Sequence, residues 1–157
     1  MRSAAIILSD DGCVALIERV RGSRTYYVFP GGGVDTGEEP VEAMVREVFE
    51  ELGLRVEPER LVAEVQAGDE LQLYYLARIV GGEFGTGTGP EMGKGSTSPE
   101  GTYKPVWLPL RQLKQVDGWP RQLLDVTGDV PQKGWPRGLL RITEVPTSPD
   151  AGFVRAA

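Results

Sequence analysis

The chain has 157 residues, 40% of them apolar, with 17 Lys and Arg against 23 Asp and Glu for a net charge of −6. That length suits one domain with a real core, and the acidic balance argues against sequence-independent nucleic-acid binding, which rests on Lys and Arg meeting phosphates. With no histidine and one cysteine, Cys13, the chain cannot build Ser-His or Cys-His nucleophiles, His-ligated zinc or an intramolecular disulfide, so acid–base chemistry falls to Asp, Glu, Lys, Tyr or bound water.

Residues 4–8 and 13–17 are short apolar runs separated by SDDG, and the Asp11-Gly12 pair predicts a hairpin joining two antiparallel strands. The first run ends in two aspartates, too soon for a secretory signal. No segment approaches the ~20 apolar residues of a bilayer span. A cytoplasmic protein is the expectation, and the lone Cys13, set in a strand-like run, reads as a core thiol in a reducing compartment. VRGSR (20–24) reads as a basic loop, 26–29 as an aromatic third strand ended by Pro30, and GGG as a loop.

Residues 40–52 are the best helix in the chain, with Pro40 at its first position and Gly53 just past its end. Val41, Met44, Val45, Val48 and Leu52 form one apolar stripe, centred about 120° from Glu47, Glu50 and Glu51. Residues 60–66 and 71–80 read as a strand pair around AGDE. The Gly-rich stretch 81–102 is too long for an ordinary connection. A strand over 103–108 follows, then short helices over 110–114 and 120–126. The domain is expected to span 1–145, with 146–157 a loosely held tail. Strands around one long helix, without regular βαβ alternation, predict an α+β fold with a mixed sheet.

The string from Arg46 to Gly53, REVFEELG, puts Glu47, Glu50 and Glu51 on one helix face, where like charges repel by a few tenths of a kcal/mol per pair. A charged helix face is usually just solvated, but here the spacing extends further. Gly32 is followed by five residues and Glu38. Seven more lead to Arg46-Glu47, then Val48, one residue, Glu50-Glu51, one residue, Gly53 and Leu54. This G-x5-E-x7-R-E-U-x-E-E-x-G-U string, U being aliphatic, resembles at every specified position the signature of the Nudix hydrolase family, the MutT-like pyrophosphohydrolases. FPGG (29–32) and PVWLPL (105–110) extend the similarity, more weakly, over most of residues 2–126.

The resemblance implies a Nudix-like fold, a mixed β-sheet sandwiched between helices. It implies divalent-metal-dependent hydrolysis of the pyrophosphate linkage in a nucleoside diphosphate joined to another moiety. Mg2+ or Mn2+ would cancel the repulsion among the glutamates, grip phosphate oxygens and activate a water. The implied ligands are Glu47, Glu50, Glu51, the backbone carbonyl of Gly31 and a downstream acid, for which Glu91 is favoured over Glu100. Glu47 is the expected general base, with Arg46 and Glu50 beside it in the catalytic group; Arg46 orients a glutamate. Glu38 has a supporting role. Gly32, in a loop that can turn sharply, brings backbone close to ion or phosphate.

Arg19, Arg21 and Arg24 have two readings, contact with substrate phosphate or solvated loop charges. Tyr26, Tyr74 and Tyr75 either stack a base or fill the core. GKGS (93–96) is no P-loop, because Gly95 follows Lys94 and Thr88 stands where the first glycine belongs. The expected partner is a small phosphorylated substrate, a nucleotide, and neither a membrane nor a nucleic acid; a homodimer stays open. The competing reading is a non-catalytic nucleotide sensor of the same fold, against which the intact glutamates argue.

Overall fold

The structure is a computed structural model and describes residues 1–89 and 101–145. The expected tail, and both Glu91 and Glu100, lie outside these residues.

Two mixed sheets make up the β-structure. In the first, β1 (Arg2–Ile7) lies between β4 (Gly31–Gly33), antiparallel to it, and β6 (Glu70–Gly82), parallel to it. There β5 (Leu54–Ala67) pairs antiparallel with β6 and carries β9 (Leu140–Thr143) parallel on its other edge. In the second sheet β2 (Cys13–Arg21) is flanked antiparallel by β3 (Arg24–Val28) and β7 (Thr102–Pro109), and the two-residue β8 (Gly118–Trp119) runs parallel to β3. Helix α1 (Pro40–Leu52) follows β4. A 3-10 turn (Leu110–Gln112), α2 (Arg121–Gly128) and the short α3 (Val130–Lys133) come late in the chain.

Alternation along the strands sorts the core into two layers. Ala4, Ile6, Val14 and Leu16 pack in one cluster with Leu110, Leu113, Leu123 and Leu124 of the 3-10 turn and α2. Their neighbours Ala5, Ile7, Ala15 and Ile17 pack in the other with Met44, Val48 and Leu52 of α1. The strands are thus sandwiched between α1 on one face and α2 with its preceding turn on the other, as an α+β fold. The difference from expectation is that two sheets, not one, fill the middle layer.

The predicted turn across Asp11-Gly12 forms, with the Ser9 amide donating to the Cys13 carbonyl at 2.8 Å, but the predicted strand pairing does not continue beyond it. β1 and β2 belong to different sheets and meet through one bridge, Leu8 to Val14. Ala4 to Ile7 are all fully buried. A strand covered on both faces needs ladder partners on both edges, and β4 and β6 supply them. Gly12, at φ 85°, turns the chain from one sheet into the other. The triple glycine is a strand rather than a loop. β5 starts at Leu54, earlier than its charged EPER stretch suggested, and bulges on either side of Pro58 absorb the proline. The helix expected over 110–114 is a 3-10 turn, and α3 and β9 lie where no element was predicted.

Candidate active site

Two elements build the site. Helix α1 begins with Pro40, and the Glu42 carboxylate accepts the Glu39 amide at 2.9 Å, satisfying one of the amides that a helix start leaves open. It ends at Gly53, in the left-handed region at φ 78°, whose amide donates to the Phe49 carbonyl at 2.9 Å. Met44, Val48 and Leu52 are fully buried, Val41 and Val45 half-buried. That anchoring turns Glu47 and Glu51 inward, 9% and 5% exposed, while Glu50 is half-buried at the rim.

Against this face lies β4. The Gly31 amide donates to Glu51 Oε1 at 2.8 Å. Gly32 sits so close that a Cβ there would land within the Glu47 carboxylate, and a Cβ on Gly31 would overlap Ser3 and Ala4 of β1. The glycines are there because backbone must touch carboxylate.

Arg46 is the hub of the cluster. Its Nε and Nη2 donate to the two oxygens of Glu38 at 2.8 and 3.0 Å, and Nη2 also donates to the Gly33 carbonyl at 3.0 Å. Nη1 donates to Glu47 Oε2 at 2.9 Å and reaches Glu50 Oε1 at 3.3 Å. Glu38 further accepts the Asp35 amide at 3.0 Å. These bonds, Arg46 first and then the Asp35 amide, hold the Glu38 carboxyl down to about 2. Glu38 foremost, and then Glu47, push the Arg46 guanidinium above its ordinary range against the opposing effect of burial.

The chain leaving β6 returns to cap this helix. Glu83, Gly85 and Gly89 amides donate to the Gly53, Leu52 and Glu50 carbonyls at 3.1, 2.8 and 2.8 Å, and Gly87 packs on the backbone of Glu50 and Glu51. The first half of the glycine-rich stretch is therefore bound to the helix end that carries the acids, with Phe84 stacked on Trp107 at 4.9 Å.

The three arginines stand on strands, not on a loop. Arg19 is 3% exposed. Its Nε donates to the Thr102 carbonyl at 3.0 Å, and its guanidinium lies 3.5 Å from the Tyr103 ring centre and 5.9 Å from that of Tyr26. Arg24 makes two bonds to Asp117, at 2.8 and 3.0 Å, beside Tyr26. A substrate phosphate would have to draw either guanidinium away from these contacts. Arg21 ends β2, with Gly101 packed on its side chain. Tyr26 and Tyr74 are core residues, 1% and 2% exposed, and burial raises the Tyr74 hydroxyl well above its usual value. Sequence reasoning missed the Asp35 amide, the Gly33 carbonyl, Tyr103 and Asp117. The first two are backbone groups, which leave no letter to read.

Among the described residues no three acidic or thiol side chains converge as a ready metal cage. Arg46 lies between Glu47 and Glu50, and the Gly31 amide occupies Glu51. The donor set nevertheless fits a hard divalent ion. Its side chains offer carboxylate oxygens, two of the three are almost wholly buried, and the facing strand has Gly32, without a Cβ, beside Glu47. Glu38, Glu47 and Glu50 meet the Arg46 guanidinium, with Asp35 at 3.7 Å.

Fold and site together define an α+β domain in which a glycine strand and a glutamate helix face each other. A NUDIX domain profile matches residues 1–126, and the chain belongs to that family. It is 50% identical over 46 residues to an RNA pyrophosphohydrolase of Francisella tularensis subsp. mediasiatica (strain FSC147), which is 29% of this chain and 30% of that protein. It is 40% identical over 80 residues to the human (Homo sapiens) 8-oxo-dGDP phosphatase NUDT18, half of this chain and a quarter of that one. The chain thus spans less than a third of the length of either relative. Among solved structures, a NUDIX hydrolase from Nitrosomonas europaea superposes with a TM-score of 0.65 at 18% identity, covering 92% of this chain and 81% of that one. An ADP-ribose pyrophosphatase from Streptococcus suis 89-1591 gives 0.61 at 21% identity, covering 90% and 96%. These two likenesses establish the fold. Among the described residues no helix is long and apolar enough to cross a membrane.

Proposed function

We propose that the protein hydrolyses, with Mg2+ or Mn2+, the pyrophosphate linkage of a nucleoside diphosphate joined to another moiety, a nucleotide or nucleotide sugar. The observation that carries this is the pair of nearly buried carboxylates, Glu47 and Glu51, held against the Gly31-Gly32 backbone beside Arg46. The names of the sequence relatives, a pyrophosphohydrolase and a nucleoside-diphosphate phosphatase, support the same chemistry.

In this reading Glu47, Glu50 and Glu51 would hold the ion, with the Gly31 carbonyl and Glu91 as further ligands. When bound, the ion offsets charge on the phosphate oxygens and lowers the pKa of a water. Glu47 accepts the proton of the attacking water, and Arg46, fixed by Glu38, keeps the Glu47 carboxylate aimed at it. Gly32 admits that carboxylate to the backbone. Water adds to one phosphorus, the bridging P–O bond breaks, and a nucleoside monophosphate and a phosphorylated remainder leave. Arg19, Arg21 and Arg24 meet substrate phosphate by exchanging their present contacts. The unit extends to Val145, the substrate is small and phosphorylated, and the setting is the reducing cytoplasm.

The test is a phosphate-release screen over nucleotides and nucleotide sugars with each cation in turn. Wild type should turn over at least one class, and Glu51→Gln should lower that rate about a thousandfold or more. Nucleotide binding without turnover by wild type would assign the chain as a sensor instead.

A further inference from the structure

We infer that Arg46 holds the place of the metal at Glu50: its guanidinium neutralises Glu50 until a divalent ion takes it, keeps its bond to Glu47, and is anchored throughout by Glu38. This rests on the metal-dependent reading above.

The two edges of the guanidinium are unequal. One edge, Nε with Nη2, makes a paired contact to Glu38 at 2.8 and 3.0 Å and adds the Gly33 carbonyl at 3.0 Å. Parallel charged bonds of that kind are strong and geometrically fixed. Glu38 itself is tied down by the Asp35 amide. On the other edge a single nitrogen, Nη1, serves Glu47 at 2.9 Å and both oxygens of Glu50 at 3.3 and 3.5 Å. The Glu50 contacts sit at the long end of the hydrogen-bond range. Glu50 is also the most exposed of the three acids and has the least to lose by moving.

A divalent ion binds carboxylate oxygens at about 2.0–2.6 Å. An ion held by these glutamates would compete with Nη1 for the Glu50 oxygens and would meet the guanidinium as a like charge. The cheapest response gives up the long Glu50 contacts and keeps the bonds to Glu38 and Glu47.

Arg46 and Glu38 therefore act on metal affinity with opposite signs. Removing the guanidinium removes the competitor. Removing the Glu38 charge leaves the guanidinium less compensated and holds it more firmly on Glu50. If the two residues served only to hold the loop to the helix, both substitutions would weaken binding.

Mn2+ uptake followed by electron paramagnetic resonance, without nucleotide, reads this out on wild type, Arg46→Gln, Arg46→Lys and Glu38→Gln. Arg46→Gln should bind Mn2+ about tenfold tighter, Glu38→Gln about tenfold weaker, and Arg46→Lys should fall between wild type and Arg46→Gln, effects of the size expected for coupled sites. Arg46→Gln should hydrolyse more slowly than wild type despite its tighter grip. Should Arg46→Gln fail to fold, arginine side-chain 15N–1H spectra of wild type titrated with Mg2+ decide. The Arg46 Nη signals should shift and the Nε signal stay. Equal or weaker Mn2+ binding by Arg46→Gln, or Arg46 Nη signals that do not move while the Gly31 amide does, overturns the inference and leaves hydrolysis by wild type standing. A wild type that takes up no Mn2+ and hydrolyses nothing overturns both.

Discussion

The missing Cβ of Gly32 sets how close Glu47 can come to the backbone. In Gly32→Ala the new methyl would occupy the carboxylate's position, so the long Glu47 side chain must swing away while the fold stays intact. Displacements of about 1 Å in a catalytic group cost rates near a hundredfold. Turnover of Gly32→Ala should fall by that order, with a circular dichroism melt close to wild type. Glu38 gives a second test at this scale. Its carboxyl is held down to about 2 in the folded protein, first by Arg46 and then by the Asp35 amide, and it returns to the ordinary carboxylate value on unfolding. A lowered folded value means that its contribution is complete above the ordinary value and lost as pH falls toward 2. The melting-temperature gap between wild type and Glu38→Gln should be constant near pH 7 and narrow steadily from about pH 5 downward. The motif's spacing made Glu38, Arg46, Glu47, Glu50 and Glu51 legible as a group. It did not reveal how Arg46 and Glu38 are anchored, because one partner of each is a backbone group, the Gly33 carbonyl for Arg46 and the Asp35 amide for Glu38. Nor did it show that Arg19 and Arg24 are already engaged, since Thr102 and Asp117 lie more than eighty residues away in sequence.

Among the elements, α1 was the most legible because its punctuation is local: Pro40 starts it, Gly53 stops it, and its apolar stripe has helical period. Gly53 does more than stop it. At φ 78° it adopts a conformation costly to other residues, and a Cβ would strike Thr86 and the Glu83 carbonyl in the segment that caps the helix. Gly53→Ala should destabilise the protein by about 1–2 kcal/mol, measured by urea denaturation. The strands were less legible. Residues 4–8 and 13–17 had the right content and the right turn between them, yet the pairing was wrong. Strand character is written in the side chains of one segment, whereas the partner is decided by which edges elsewhere remain unpaired. The glycine strand β4 was missed for the same reason, since three glycines have no side chains to signal a sheet and are recruited by the edge of β1.

At the scale of the whole molecule, both core layers depend on strands β1 and β2 presenting alternate residues to opposite faces, and α1 closes one of those layers with its inner flank while its acids face β4. Binding an ion to the folded site but not to the unfolded chain should stabilise the entire domain, by about 2.7 kcal/mol when the ion is at a hundred times its dissociation constant. That corresponds to several degrees in melting temperature. Wild type should show the rise with Mn2+, and Glu51→Gln should show little or none. The layered α+β organisation could be anticipated from one long helix set among short strands. The division into two sheets could not, because it depends on β1 and β2 parting company after a turn that is compatible with either arrangement.

Between Leu52, the last residue of the helix, and Leu54, the first of β5, there is a single residue. That leaves no slack. One residue inserted there must be absorbed on one side or the other. If the helix takes it up, every position before it rotates by about 100°, carrying the acids off the glycines. If the strand takes it up, its inward and outward side chains exchange places. Length variation at this junction should be far less tolerable than in the loops beyond it.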